Sequence, residues 1–154
     1  MAYIQENKDR HTERGCVFCG LLAGEDTDGE RILRRDEHAF VTLAKYPYNP
    51  GHLLVLPTRH VGDLEALGAQ EHAGIAALMA RSVRALRETA GPHGFNIGLN
   101  LGVVAGAGIP EHLHWHVVPR WGGDTNFMPV VGQTRVLPEL LSESYDKLVS
   151  HFVD

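Results

Sequence analysis

The run Glu111-His112-Leu113-His114-Trp115-His116-Val117-Val118-Pro119-Arg120 constrains the chain most. Three histidines alternate with apolar residues, and a β-strand has a side-chain period of two. As a strand, the run places His112, His114 and His116 on one face and Leu113, Trp115 and Val117 on the other. Three imidazoles in a row are too polar for a core and too ordered for a bland solvent edge. Such a row is built to hold a metal or to handle a phosphate.

The remaining sequence narrows the setting. At 154 residues the chain reads as one domain with a real core. Its first 14 residues are charged and aperiodic, and they are expected to form a flexible arm ahead of a single domain over residues 15–154. No apolar run approaches the roughly 20 residues of a membrane span, and the start has no signal-peptide apolar segment. The chain is therefore expected to be cytoplasmic and not to bind a membrane. A formal charge of −5 argues against wholesale binding to nucleic acid. Ten histidines stand against two cysteines, and both cysteines fall in one Cys16-x-x-Cys19 pair. In a reducing compartment that spacing points to metal or redox chemistry rather than a structural disulfide.

In chain order, Cys16 to Leu22 opens the ordered part and Gly24 to Gly29 reads as a loop. Glu30 to Arg35 and Ala39 to Leu43 read as a strand pair joined at Asp36-Glu37. Tyr46-Pro47-Tyr48-Asn49-Pro50-Gly51 is a turn. His52 to Pro57 is a continuous apolar strand, hence buried on both faces. Asp63 is positioned to cap a helical turn through Leu67. One long helix spans Ala69 to Ala90, with Ile75, Leu78, Met79, Val83 and Leu86 as its apolar stripe, and Gly91 stops it. Arg81, Arg84 and Arg87 fall mostly away from that stripe. Phe95 to Leu101 alternates as a strand, Gly102 to Pro110 is a glycine-rich connection, and the histidine strand follows. After an irregular stretch containing Asn126-Phe127-Met128-Pro129, a helix is expected from Pro138 to about Phe152. The order β-β-β-α-β-β-α implies an α+β fold, an antiparallel sheet with helices packed on one side.

Two chemistries fit the histidine row. Three imidazoles can make an open zinc site. However, side chains at i, i+2 and i+4 span about 13 Å along a strand, whereas zinc needs nitrogens at about 2.1 Å. Two of the three can share a metal; all three hardly can. The alternative is phosphate. A neutral imidazole is a good nucleophile toward phosphorus, provided its other ring nitrogen is held by an acceptor. His114, flanked on both sides, is the natural nucleophile. Backbone N–H groups of the glycine-rich connection can cradle phosphate oxygens, although glycines alone fit a plain hairpin equally well. No Gly-Lys-Ser/Thr follows, so this is no Walker loop.

With these residues set out, the chain resembles the histidine triad (HIT) superfamily of nucleotide hydrolases and transferases. His112 to Val118 fits its His-φ-His-φ-His-φ-φ signature. Cys16-x-Phe18-Cys19, Pro50-Gly51-His52-x-Leu54-Val55-x-Pro57-x-x-His60 and Asn100-Leu101-Gly102 stand in family order, so the resemblance covers Gly15 to Trp121. Pro119 to Phe127 is similar to the branch that contains bacterial diadenosine tetraphosphate phosphorylases. The resemblance implies an antiparallel sheet of about five strands with one long helix and a C-terminal helix. It implies a nucleotidyl-histidine on His114 formed by attack at the α-phosphorus, a phosphate contact from His116, and a supporting role for His52. Asn100 and the backbone of Ala107, Gly108 and Ile109 match phosphate-side contacts. Val17, Phe18 and Leu21 match an apolar wall for the base, or are simply core.

The resemblance also gives the cysteine pair a meaning. In zinc-binding members, and in galactose-1-phosphate uridylyltransferases, such a pair joins two histidines, here His60 and His112. Cys16, Cys19, His60 and His112 would then hold one structural zinc, tying the N-terminal arm to the sheet. A redox role ranks last, because the pair does not read as following a strand and opening a helix. Two departures stand out. Ala44 replaces the Asp or Asn that many members use for the ribose, with Lys45 or Thr42 as substitutes nearby. Gly108, Ile109 and Pro110 replace a polar residue before the triad. The implied substrate is diadenosine tetraphosphate or a similar adenine dinucleotide, with water or inorganic phosphate as acceptor, and members pair as homodimers. The rivals are a nucleoside phosphoramidate hydrolase and a nucleotide-binding or interaction module with little turnover. His38, His72, His93 and His151 read as surface or capping residues, and Trp115 as core.

Overall fold

A computed structural model describes residues 15–25, 30–125 and 139–154. The expected flexible arm, the end of the loop before Glu30, the irregular stretch at Asn126 and the start of the last helix at Pro138 lie outside the described residues.

Five strands form one antiparallel sheet: β1 (Ile32–Arg35), β2 (Ala39–Leu43), β3 (Leu53–Pro57), β4 (Gly94–Leu99) and β5 (Trp115–Arg120). Their spatial order is β1-β2-β3-β5-β4. The strand pair β1–β2 and the long helix α2 (Ala69–Ala90) fall where the sequence pattern places them. Every residue of β2 and β3 is buried, as the unbroken apolar run of β3 requires. Val41, Leu53, Val55 and Val117 face α2, where Ile75, Leu78 and Leu86 form its buried stripe, with Met79 and Val83 half-buried beside them. Gly91 ends α2 at φ 54°, a left-handed turn that glycine adopts without strain.

The opposite face carries a second core of Phe18, Leu21, Ile32, Phe40, Leu54 and Leu56. Phe18 and Leu21 come from a helix that the sequence pattern did not reveal, α1 (Val17–Leu22). Six residues are less than two turns, too few for a readable period. The expectation that helices pack on one side is therefore corrected. Helices α2 and α3 (Leu141–Leu148) share one face, and α1 covers the other. Asp63 stands at the N-terminus of the turn Leu64–Ala66, but its side chain makes no capping bond. Beyond α3 the chain tightens into a 3-10 turn, Val149–Phe152. Arg34 and Arg81 donate to the Phe152 and His151 carbonyls (3.0 and 2.9 Å) and hold that turn to β1 and α2.

The histidine run is also shorter as a strand than expected. Strand β5 begins at Trp115, and only His116 of the three lies in it. Upstream, Leu113 donates its N–H to the Val61 carbonyl (2.8 Å), outside the sheet ladder. The carbonyl of His112 is taken by a side chain rather than by a neighbouring strand.

Candidate active site and metal centre

Gly62 explains how the metal-type residues meet. A Cβ there would lie 2.8 Å from the Pro110 carbonyl oxygen and 3.0 Å from the Glu111 Cα, so only glycine admits this approach of two backbones. It brings His60 beside His112, and α1 supplies Cys16 and Cys19 from above. The ligand atoms of Cys16, Cys19, His60 and His112 all lie within 4.8 Å of one another. The two cysteines are not joined in a disulfide, and Nδ1 of His112 is 3.5 Å from the Cys16 Sγ and 3.6 Å from the Cys19 Sγ. Nδ1 of His60 is 3.5 Å from the Cys19 Sγ. With zinc bond lengths of about 2.3 Å to sulfur and about 2.05 Å to nitrogen, a tetrahedron has N···S edges of about 3.6 Å. The donor set fits that metal in composition and in spacing. The Nε2–H of His112 donates to the Pro57 carbonyl (2.9 Å), which turns Nδ1 toward the sulfurs. Burial first, then the neighbouring His60 and His114, push the His112 pKa down to about 4.

The local structure at the cysteines differs from the expectation. The cysteine pair does open a helix, since Cys16 is the N-cap of α1. The two imidazoles at the sulfurs now carry the preference for a metal.

His114 has the arrangement that a phosphorus nucleophile requires. Its Nδ1 lies 2.8 Å from the His112 carbonyl oxygen, so Nδ1 carries the hydrogen and Nε2 is bare. Burial lowers its pKa, which keeps the ring neutral. The Phe18 ring leans on it at 5.2 Å and meets His112 edge-on at 5.5 Å.

His116 is arranged the opposite way. The Tyr48 backbone N–H donates to Nδ1 of His52 (3.1 Å). That nitrogen is therefore bare, and Nε2 of His52 carries the hydrogen. Nε2 stands 2.9 Å from Nδ1 of His116, which must accept, leaving the His116 hydrogen on its own Nε2. The Tyr48 ring lies over both imidazoles, 4.8 Å from His52 and stacked at 5.7 Å on His116. Burial, then the neighbouring His114, lower the His116 pKa to about 4. Two adjacent imidazoles thus stand as an acceptor and a donor, 5.2 Å apart between ring centres.

The remaining expected contacts divide. Phe18 touches the histidines, Leu21 is buried core, and Val17 is 41% exposed. Asn100 is half-buried beside Gly106, whose Cβ would stand 3.7 Å from the Asn100 Nδ2. Ala107 and Ile109 are buried and Gly108 is half-buried. The Ala107 N–H is already spent on the Gly102 carbonyl (3.2 Å), closing the glycine-rich connection on itself. Ala44 is buried, and the Thr42 hydroxyl donates to backbone carbonyls, so Thr42 does not substitute at a ribose. Tyr48 and the Pro57 and His112 carbonyls were not readable as site groups. A backbone N–H or C=O leaves no trace in residue type.

The antiparallel sheet thus carries two oppositely arranged imidazoles, His114 and His116, beside a Cys2His2 cluster. The chain belongs to the HIT family: the family model described as HIT domain matches residues 27–123. An AP-4-A phosphorylase of Mycobacterium tuberculosis is 47% identical over 113 residues, 73% of this chain and 58% of that relative. The chain therefore spans less than two thirds of that relative's length. An uncharacterised HIT-like protein of Mycoplasma genitalium is 31% identical over 141 residues, covering 88% of this chain and 98% of the relative. Among solved structures, a zinc-bound histidine triad family protein of Mycobacterium smegmatis superimposes with a TM-score of 0.72 at 32% identity, over 91% of this chain and 94% of that one. Among the described residues, no helix is long and apolar enough to cross a membrane.

Proposed function

We propose that the chain cleaves a dinucleoside polyphosphate of the diadenosine tetraphosphate type at its α-phosphorus, through a covalent nucleotidyl-His114. The supporting observation is the opposed proton placement on His114 and His116. The bare Nε2 of His114 attacks phosphorus and the P–O bond to the departing phosphate chain breaks. The Nδ1–H of His114 stays on the His112 carbonyl, which steadies the positive charge the ring acquires. The Nε2–H of His116 donates to a phosphate oxygen, and His52 positions His116 from behind. An acceptor then attacks the nucleotidyl-histidine and returns His114 to its starting form. Gly108 and Ile109 N–H groups and Asn100 serve the phosphates, while Phe18 and Val17 border the base.

Zinc is the metal that Cys16, Cys19, His60 and His112 would hold, and its contribution is structural, fixing α1 and His112 against the sheet. The 47% identity to an AP-4-A phosphorylase favours an adenine dinucleotide and phosphate as acceptor. Two cysteines gathered with two histidines at a metal-type site, rather than joined in a disulfide, accord with work in the cytoplasm. Edge strand β4, with Ile97 exposed, is the place where a second copy would pair to form a homodimer.

Incubation with diadenosine tetraphosphate, with and without inorganic phosphate, tests the reading. Phosphate-dependent ADP together with ATP marks a phosphorylase, and AMP with ATP marks a hydrolase. If neither appears, and His114→Ala binds nucleotide as the wild type does, the chain is a binding module instead.

A further inference from the structure

The segment Pro119 to Thr125 sits outside the imidazole site, yet its polar groups converge on the turn that sets the site's protons. Arg120, the last residue of β5, grips Asp124 with two bonds, Nε to Oδ2 (2.6 Å) and Nη2 to Oδ1 (2.7 Å). Its Nη1 reaches Asn96 Oδ1 on β4 (2.6 Å) and its Nη2 also reaches the Thr125 hydroxyl (3.1 Å). Asp124 Oδ2 also accepts from the Trp121 N–H (3.1 Å) and from Nδ2 of Asn49 (2.9 Å). The other hydrogen of that Asn49 amide goes to the Pro119 carbonyl (2.9 Å). Both hydrogens are committed, so Asn49 has one orientation. Its own carbonyl accepts the His52 N–H (3.1 Å). The same turn is seated on α2 by Gly51 at φ 77°, where a Cβ would come within 2.9 Å of the Leu86 Cδ2.

We propose that Asn49, Asp124 and Arg120 are positioning residues that fix the proton arrangement of the His52–His116 pair from outside the site. Tyr48 immediately precedes Asn49, and its N–H is the donor that keeps the His52 Nδ1 bare. When the turn shifts, that donor leaves, and the His52 hydrogen can move to Nδ1. His52 Nε2 then becomes an acceptor facing another acceptor, Nδ1 of His116. The pair can restore its bond only if His116 also moves its hydrogen to Nδ1. Nε2 of His116 is then bare, and no proton faces the phosphate. A clamp that merely closed the end of the sheet would change stability and leave both tautomers alone. Its effect on turnover rests on the nucleotidyl-transfer reading above, whereas its effect on tautomers does not.

The test is imidazole ¹⁵N spectroscopy of the histidine-labelled 154-residue chain at neutral pH without substrate, on wild type, Asn49→Ala and Asp124→Asn. Signals are assigned with His52→Gln and His116→Gln. In the wild type, His52 and His116 should both carry the hydrogen on Nε2 and His114 on Nδ1. Each clamp variant should show mixed tautomers at His52 and His116, with His114 unchanged. In parallel, kcat should fall at least about tenfold, part of the roughly 10²–10⁴ that a placed proton donor contributes, with KM within about threefold. Should Asn49→Ala fail to fold, Asp124→Asn decides, because it keeps the shape and one acceptor. Wild-type tautomers in a folded clamp variant overturn the proposal, whatever happens to its stability or rate. A wild type with His52 protonated on Nδ1 overturns it too. The expected tautomers in a protein that does not turn over diadenosine tetraphosphate would leave the clamp standing and remove the substrate assignment.

Discussion

The Nε2 of His52 lies 2.9 Å from the Nδ1 of His116, and this contact leaves the His116 hydrogen on its outer nitrogen, Nε2. His52 immediately precedes β3 and His116 lies in β5, the two strands being neighbours in the sheet with Leu54 opposite His116. His52 is 2% exposed, so its imidazole is part of the interior and cannot exchange partners with water. Replacing His52 by Ala removes the partner that orients His116. The expected result is a loss of roughly 10²-fold in kcat with little change in KM. His52→Gln, whose side-chain amide can still donate toward His116, should recover part of the rate. Steady-state kinetics on diadenosine tetraphosphate decides, and equal losses in both variants would count against the relay.

His116 also makes a pH prediction for stability. Its pKa falls from 6.5 to about 4 on folding, chiefly through burial. Below pH 6.5 the unfolded chain therefore binds a proton that the folded chain refuses, so stability falls as the pH drops from 6.5 toward 4. His116→Gln should show a shallower fall over that window. Urea midpoints measured across the window for both proteins check this; parallel curves would contradict it.

The Cys2His2 cluster predicts about one zinc per chain in protein purified without chelator, and its loss in Cys16→Ser. Metal removal should also lower Tm by more than about 5 °C, because α1 and His112 lose their common anchor. Metal analysis and a thermal melt with and without chelator read both. Metal-free protein with an unchanged melt would rule the site out.

Gly62→Ala tests the backbone approach that unites His60 with His112. The new methyl would meet the Pro110 carbonyl oxygen at 2.8 Å, and backbone cannot swing aside as a side chain can. Destabilisation of about 1–3 kcal/mol is expected, together with weaker metal retention. Denaturant titration and competition with a chromogenic chelator measure the two effects.

These tests separate what residue type can reveal from what only backbone geometry reveals. Helix α2 was readable to its ends, because Ile75, Leu78 and Leu86 keep helical period and Gly91 marks the stop. Strand β3 was readable because Leu53 to Leu56 is unbroken apolar sequence. The metal-type set emerged from residue chemistry and from the family resemblance together. Helix α1 was too short to show a period. The extent of β5 was misjudged because alternation in His112-Leu113-His114 resembles a strand whether or not a partner strand exists. The division of labour among the imidazoles depends on the carbonyls of Pro57 and His112 and the N–H of Tyr48, to which composition is blind.

In the proposed reaction His114 carries the transferred nucleotidyl group. Rapid acid-free quenching of enzyme mixed with diadenosine tetraphosphate, followed by intact-protein and peptide mass analysis, tests it directly. One adenylyl group on the peptide containing His114, formed within a single turnover and absent in His114→Ala, is the predicted result. Turnover with no adduct at any time point, or an adduct of equal yield in His114→Ala, would contradict the account.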